Sequence, residues 1–174
     1  MKGVATFAGM GHVEGHTIFE DKPSGLHIEA TFTKLPAKKE HGFHIHVNGD
    51  LREEGCMGAC SHYNKGPNRN HGGPPGSKGE RHTGDLGNVS EVDKTYHYRL
   101  PGVTVADLLG RTLIVHADPD DLGKGQEDDS LTTGHSGKRI ACAIIGRAKD
   151  CESPSSKKTR KQNVSRKCLK NPNC

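Results

Sequence analysis

Apolar and polar residues alternate over short stretches along most of this chain, and amphipathic repeats of helical period are scarce. Alternation with a period of two predicts strands that bury one face. Eight such segments are predicted, at residues 4–10, 15–20, 27–34, 41–47, 86–89, 95–100, 111–116 and 139–145. Residues 103–109 are ambiguous between a strand and a single helical turn. The pattern therefore predicts an all-β protein, an antiparallel barrel or sandwich.

Two long segments without periodicity, residues 48–84 and 117–138, interrupt these strands. Long loops inside a compact domain are normally either functional or disordered, so these two need something that orders them. The first loop contains several histidines, and metal ligation would order it. We therefore expect both loops to be functional.

Composition limits the size of the core. The 174 residues are 30% hydrophobic and include no Trp, against 23 Gly and nine Pro. One domain with a modest core is expected, and such cores are often stabilised by metals or disulfides. No apolar run reaches membrane-spanning length, and no signal peptide precedes the first predicted strand. These features predict a cytoplasmic protein without membrane insertion.

The net charge of +4 conceals an asymmetry. Residues 149–174 hold eight Lys/Arg and two Asp/Glu, a balance of +6, so residues 1–148 carry −2. The last 26 residues lack apolar periodicity and are predicted to be a basic, cysteine-containing, disordered tail. A solvated tail is the favoured interpretation. Weak polyanion binding or nuclear targeting through the basic run at 157–161 is the alternative.

Histidine spacing provides the first chemical signal. His44 and His46 are two residues apart on a predicted strand, so both imidazoles project from one face and can chelate a transition metal. Within the next 40 residues the chain adds three histidines and an aspartate, a donor set suited to tetrahedral zinc. Those four residues are His62, His71, His82 and Asp85. The alternative is a polar Gly-rich loop with incidental histidines.

Several motifs together resemble the copper/zinc superoxide dismutase family. They are GFHIHVNGD, HGGP, RHTGDLGNV, GRTLIVH, DDLGKG and GKRIACAIIG, and they occur in the order of the family. The resemblance covers about residues 1–148. It implies an eight-stranded antiparallel Greek-key β-barrel with a metal-binding loop and an electrostatic loop. It also implies conversion of two superoxide anions and two protons to O₂ and H₂O₂ by Cu(II)/Cu(I) cycling.

The resemblance assigns a role to each matching residue. The implied copper ligands are His44, His46, His62 and His116, and the implied zinc ligands are His62, His71, His82 and Asp85. Asp120 matches the carboxylate that links His44 to His71. Arg139 matches the cation beside copper, and Thr133 matches the hydroxyl that narrows the channel. The family further implies one copper and one zinc per subunit, a homodimer and a Cys56–Cys142 disulfide, for which two buried free thiols are the alternative.

The chain also departs from the family pattern. Asp118 and Thr132 stand where lysines are common, and Arg147 replaces an apolar dimer-contact residue. The loop is about one residue longer before His71 and again before His82, whereas residues 89–110 are about six residues shorter than usual. Four cysteines have no family counterpart: Cys60, Cys151, Cys168 and Cys174.

The alternative function is that of a catalytically silent metal-binding scaffold or a copper-chaperone-like domain on the same fold. Inactive relatives characteristically lose a copper histidine, the disulfide cysteines or the arginine, and this chain keeps all of them. The tail has no Cys-x-Cys motif of the kind that copper delivery uses. The enzymatic interpretation is therefore favoured.

Overall fold

The computed structural model describes residues 1–37 and 39–149. Nine strands form in these residues: β1 (Lys2–Met10), β2 (Val13–Lys22), β3 (Gly25–Lys34), β4 (His41–His46), β5 (Asp85–Val89), β6 (Thr95–Leu100), β7 (Thr112–His116), β8 (Arg139–Ile144) and β9 (Gly146–Arg147). The helical elements are short: a 3₁₀ helix (Glu54–Ala59), α1 (Val105–Leu108) and α2 (Ser130–Thr133). The predictions about the tail lie outside the described residues, apart from Lys149.

The strands form two antiparallel sheets. One sheet has the order β6-β3-β2-β1-β9, and the other has the order β5-β4-β7-β8. The chain crosses between sheets after β3 and returns after β5, which gives the predicted Greek-key arrangement. Within the described residues, no ladder of hydrogen bonds joins the two sheets.

The last predicted strand, residues 139–145, corresponds to β8, and a further short strand, β9, follows directly after it. β8 pairs with β7 in the four-stranded sheet, and two residues later β9 pairs with β1 in the five-stranded sheet. The Ile145 amide between them donates to the Arg111 carbonyl at 2.8 Å. The chain thus changes sheets at residue 145, and the structure contains one strand, β9, that the sequence did not predict.

The core lies between the sheets and contains the aromatic side chains that the alternation predicts to point inward. The four phenylalanines, Phe7, Phe19, Phe32 and Phe43, are fully buried. Phe32 of β3 meets Phe43 of β4 edge to face at 5.5 Å, which joins the two sheets. Each such side chain contributes about 1.5–3 kcal/mol through burial.

The ambiguous segment at residues 103–109 forms one helical turn, α1. The Thr104 side chain accepts from the Asp107 amide, and the Asp107 carboxylate accepts from the Thr104 amide at 2.8 Å. This reciprocal capping satisfies the free amides of a helix start and favours the helical alternative over the strand.

The four-stranded sheet differs from the other in having both faces covered. Every residue of β4 and of β7 is buried, although an outward face that carries histidines would normally contact water. Residues 48–84 and 117–138 cover that outer face. A disulfide between Cys56 and Cys142 ties the first loop to β8, so the predicted bridge is present and the two-free-thiol alternative is wrong.

Candidate metal centre

Six histidines and two aspartates meet on the outer face of the four-stranded sheet. In the first cluster the possible ligand atoms of four histidines lie within 4.8 Å of one another: His44, His46, His62 and His116. A second cluster meets the same criterion with His62, His71, His82 and Asp85. His62 belongs to both clusters, and the structure therefore brings together every residue that the sequence predicted for these two sets.

Strand geometry explains the first cluster. His44 and His46 alternate with core residues along β4, so both imidazoles project from the outer face of the sheet. The neighbouring strand β7 ends at His116, whose ring centroid lies 4.9 Å from that of His44. His62 comes from the loop and is held beside the strand by an isolated bridge to His46.

Hydrogen bonds fix one nitrogen of each strand histidine. The bonds run from His44 Nε2 to Asp120 (2.8 Å), from His46 Nδ1 to the Cys60 carbonyl (2.7 Å) and from His116 Nδ1 to the Gly137 carbonyl (3.2 Å). Because these oxygens only accept, the other nitrogen of each ring carries a lone pair.

The remaining nitrogens of the first cluster have no protein partner. Four are buried without a hydrogen bond in the described part of the chain: His44 Nδ1, His46 Nε2, His62 Nε2 and His116 Nε2. Leaving buried polar atoms unpaired costs about 1–3 kcal/mol each. This cost is removed when the four converging lone pairs bind a cation. The cluster therefore fits a metal ion held by four imidazoles.

The second cluster converges on one carboxylate oxygen. Three Nδ1 atoms lie close to Asp85 Oδ1, those of His62 (2.8 Å), His71 (3.0 Å) and His82 (3.5 Å). The other oxygen, Asp85 Oδ2, accepts from the backbone amides of Gly72 and His82. Three imidazoles and one carboxylate are a closed tetrahedral donor set, which fits zinc.

Asp120 connects the two clusters through their outer nitrogens. Its carboxylate accepts from His44 Nε2 and His71 Nε2, both at 2.8 Å. Gly134 packs directly against this contact with φ +67°, and a Cβ there would lie 2.1 Å from Asp120 Oδ1. A glycine is therefore required where the second loop closes over the pair.

The clusters differ in their affinity for protons. Burial lowers the pKa values of His44, His46 and His62, and it lowers that of His116 to about 4. These rings are therefore neutral at pH 7, as metal ligands must be.

In the second cluster the carboxylates dominate. Burial opposes the charge on His71, but hydrogen bonds to Asp120 and Asp85 outweigh it and raise the pKa of His71 to about 9. Burial would raise the pKa of Asp85, yet the three imidazoles hold it far below its usual range. Metal binding to this cluster must therefore displace a proton.

Arg139 and Thr133 were the other predicted site residues. The Arg139 guanidinium donates to the carbonyls of Cys56 (2.8 Å), Met57 (3.3 Å) and Cys60, beside the disulfide. The Thr133 hydroxyl lies at the end of α2 and donates to Asp129 Oδ2 at 2.8 Å. Arg139 thus shares the Cys60 carbonyl with His46, whereas Thr133 is bonded to its own loop.

Two positioning groups were not predicted. The Cys60 carbonyl orients both His46 and Arg139, and a backbone atom leaves no signal in the sequence. The Asn88 side chain donates to the Asp120 carbonyl (2.9 Å) and accepts from the Asp120 amide (2.7 Å). Asn88 lies in the GDLGNV motif, which was the available signal.

Cys60 holds its carbonyl in a conformation that a side chain disfavours. Its φ of +61° and ψ of −144° lie in a region that is essentially restricted to glycine. We expect Cys60→Gly to stabilise the fold by about 1 kcal/mol, after allowing for the greater freedom of glycine in the unfolded chain. Differential scanning calorimetry should show a rise of about 2–4 °C in Tm. A Cys60→Ala control should give no comparable rise, and a lower Tm for Cys60→Gly would contradict the prediction.

Comparison with known proteins agrees with this geometry. The sequence profile of copper/zinc superoxide dismutase matches residues 13–145. The chain is 40% identical over 152 residues to Cu-Zn superoxide dismutase A of Xenopus laevis, covering 84% of this chain and 97% of the relative. It is 43% identical over 155 residues to Cu-Zn superoxide dismutase 3 of Arabidopsis thaliana, covering 84% and 90%.

A viral relative and a solved structure extend the comparison. The Cu-Zn superoxide dismutase of Paramecium bursaria Chlorella virus 1 is 41% identical over 147 residues, covering 80% of this chain and 76% of the relative. The crystal structure of the clock protein EA4 superposes with a TM-score of 0.72 at 32% identity, covering 84% of this chain and 94% of that one. On its profile, its relatives and its fold, this chain belongs to the copper/zinc superoxide dismutase family.

Proposed function

We propose that this superoxide dismutase holds one copper and one zinc per chain, on the two clusters described above. His44, His46, His62 and His116 hold copper, and His62, His71, His82 and Asp85 hold zinc. The observation that carries the assignment is the set of four buried nitrogens without partners in the first cluster. An all-imidazole set tolerates both oxidation states of copper, whereas the carboxylate-containing set suits zinc.

When bound, copper supplies a one-electron couple that first oxidises and then reduces superoxide, and zinc supplies a fixed positive charge. The protein contributes position, charge and protons. His62 can hold a proton on Nε2 between the half-reactions, because its Nδ1 faces the second cluster, which keeps the ring in place. Burial around the first cluster excludes water and strengthens the electrostatic interactions there.

Arg139 is proposed to dock the substrate. Three carbonyl groups hold its guanidinium rigidly on the rim of the first cluster, and a guanidinium keeps its charge at all working pH values. Superoxide is too small to bind through many contacts, so a fixed cation and long-range attraction must supply most of the recognition. Thr133, at the end of α2 in the second loop, is proposed to limit the width of the path by which superoxide approaches the first cluster.

The acidic second loop repels superoxide less than its composition suggests. Asp118 forms an ion pair with Lys39 at 3.0 Å, and Asp129 contacts His135 Nδ1 at 2.7 Å. The bond to Asp129 raises the pKa of His135, which favours the charged imidazole. These pairings partly compensate for the missing lysine at Thr132.

Metal analysis and a dismutation assay on the same purified protein test the assignment. We expect one copper and one zinc per chain after loading with both metals, together with rapid consumption of superoxide. Zinc binding without copper binding would refute the copper assignment and favour the silent scaffold. Full metal occupancy without activity would leave the metal sites intact but refute the role proposed for the residues around them.

Arg139→Ala is expected to lower kcat/KM by at least about tenfold, equivalent to about 1.4 kcal/mol of transition-state stabilisation. The guanidinium acts on the bound anion at close range, where solvent and salt screen it least. Arg139→Lys keeps the charge but loses the three-point anchoring, and should recover only part of the rate. Stopped-flow assays at several ionic strengths measure both variants. An unchanged rate in Arg139→Ala would show that the anion docks elsewhere.

The dimer remains a proposal. Ile144 and Leu109 are exposed apolar residues, and Gly49 lies close to both Gly110 and Ile144. Together they form an apolar patch at one edge of the four-stranded sheet, and such patches suit association. Arg147 adds an exposed charge on β9, so we expect a weaker homodimer than an all-apolar surface would give. Sedimentation at several protein concentrations measures it.

Cellular location is likewise proposed. Within the described residues, no helix has the length and apolar character needed to cross a membrane. We propose a cytoplasmic enzyme whose basic tail interacts at most weakly with polyanions or nuclear import factors. Fractionation of cells that express the chain with and without residues 149–174 distinguishes these locations.

A further inference from the structure

A cavity of about 380 Å³ lies outside the metal centre, between the first loop and the turn that follows β6. Three cationic side chains line it, those of Lys65, Arg81 and Arg99, and its lining includes no Asp or Glu. The volume lies within the range of small-molecule sites. Both its charge and its size therefore suit a small anion.

Only one of the three cations has a carboxylate partner. Lys65 Nζ lies 2.9 Å from Asp107 Oδ2, an oxygen that also accepts from the Thr104 amide at the start of α1. In the part of the chain that the structure describes, neither Arg81 nor Arg99 forms an ion pair. Two guanidinium groups at one cavity thus have no carboxylate in direct contact.

The two arginines differ in how they are held. Arg81 is half-buried and donates to the carbonyls of Gly73 (3.0 Å), Thr83 (3.2 Å) and Asp85 (2.6 Å), which fixes its side chain. Arg99 is exposed on β6 and can turn toward a ligand. A bound anion would therefore meet one fixed guanidinium group, that of Arg81, and recruit a second from Arg99.

Apolar side chains form part of the remaining wall. Pro101 is exposed and Pro75 is partly exposed, so these two prolines present apolar surface to the cavity, while Leu100 and Val103 are buried in its wall. An inorganic ion would leave this surface uncovered, whereas an organic anion could cover it. The cavity also lies between residues 65–83, where the loop is longer than the family pattern, and residues 89–110, where the chain is shorter.

We propose that this cavity binds a small organic phosphate monoester. The phosphate interacts with the guanidinium groups of Arg81 and Arg99, since planar guanidinium groups match phosphate oxygens in geometry and charge. The apolar part of the ligand covers Pro75 and Pro101. This site is separate from the chemistry at the histidine clusters and does not depend on the metal assignment.

The test uses the metal-loaded full chain with phenyl phosphate as the probe, followed by titration calorimetry and amide NMR. We expect saturable binding of one probe per chain, with shifts confined to residues around the cavity. Arg99→Gln should weaken binding by about tenfold, as loss of one charge-assisted contact would. Arg52→Gln is the matched control, because Arg52 is exposed and paired with Asp50 elsewhere, and it should bind as the wild type does.

Four results would overturn the proposal. The first is the absence of saturable binding, and the second is equal affinity of the wild type and Arg99→Gln. The third is loss of binding in Arg139→Ala but not in Arg99→Gln, which would place the anion at the metal centre. The fourth is equal affinity for inorganic phosphate and phenyl phosphate, which would refute the apolar half of the site. Unchanged dismutase activity in Arg99→Gln verifies that this variant is folded.

Discussion

His46→Ala is expected to abolish copper binding and dismutase activity while leaving zinc in place. His46 contributes a nitrogen to the first cluster only, and its ring centroid lies 4.8 Å from that of the shared His62. Even the hydrogen-bond partners of metal ligands are worth about 10–100-fold in affinity or activity, so loss of a ligand should cost at least about a hundredfold. Metal analysis after dialysis, together with the rate of superoxide consumption, measures both effects.

The matched comparison is His62→Ala, because His62 belongs to both clusters. That variant should lose zinc as well as copper, whereas His16→Ala, on the exposed face of β2, should lose neither. Equal zinc retention in His46→Ala and His62→Ala would show that the clusters do not share a ligand. The comparison therefore tests whether both clusters share His62, and it does so independently of activity.

Replacing both Cys56 and Cys142 by serine is expected to lower the free energy of unfolding by about 4 kcal/mol. The bridge closes a loop across a sequence separation of 86 residues, and releasing it gives the unfolded chain more freedom. Urea denaturation of the metal-loaded proteins measures the difference. Cys60→Ser, which keeps the bridge, is the control, and coincident unfolding curves for the double variant and the wild type would contradict the prediction.

The same double variant should also lose activity. Arg139 donates to the Cys56 carbonyl, so the disulfide anchors the segment that holds the guanidinium. Without the bridge the guanidinium is less well positioned, although no ligand of either cluster has changed. A lower rate at full metal occupancy would separate this effect from metal loss.

Strand periodicity predicted most of the strands, and histidine spacing predicted the His44/His46 pair and the second cluster, whereas the Greek-key topology and the sharing of His62 were implied only by the family resemblance. The alternation of His44 and His46 with Phe43 and Ile45 placed the histidines on one face, and the structure agrees. Alternation could not show that this face is buried, because the covering residues belong to loops without periodicity. The Cys60 carbonyl was equally inaccessible, since main-chain atoms are the same at every position.

Three other features were either ambiguous in the sequence or not visible in it. The start of α1 carries a Thr104–Asp107 capping pair, a short signal that apolar residues on either side obscure. The short strand β9, beyond the predicted segment 139–145, forms because β1 lies beside it, a fact of the tertiary structure alone. Arg81 and Arg99 are separated by 17 intervening residues, so no local pattern indicated that they line one cavity.

The two donor clusters differ in how far apart their members lie along the chain. The second spans only 24 residues, from His62 to Asp85, whereas the first needs β4 paired with β7, from His44 to His116. Closing a short loop costs less entropy than pairing distant strands, and distant pairings form slowly. The second cluster can therefore assemble early in folding, while the first exists only once the Greek key is complete. With the proposed metal assignment, zinc is suited to guide folding of the chain, and copper is suited to enter a protein that has already folded.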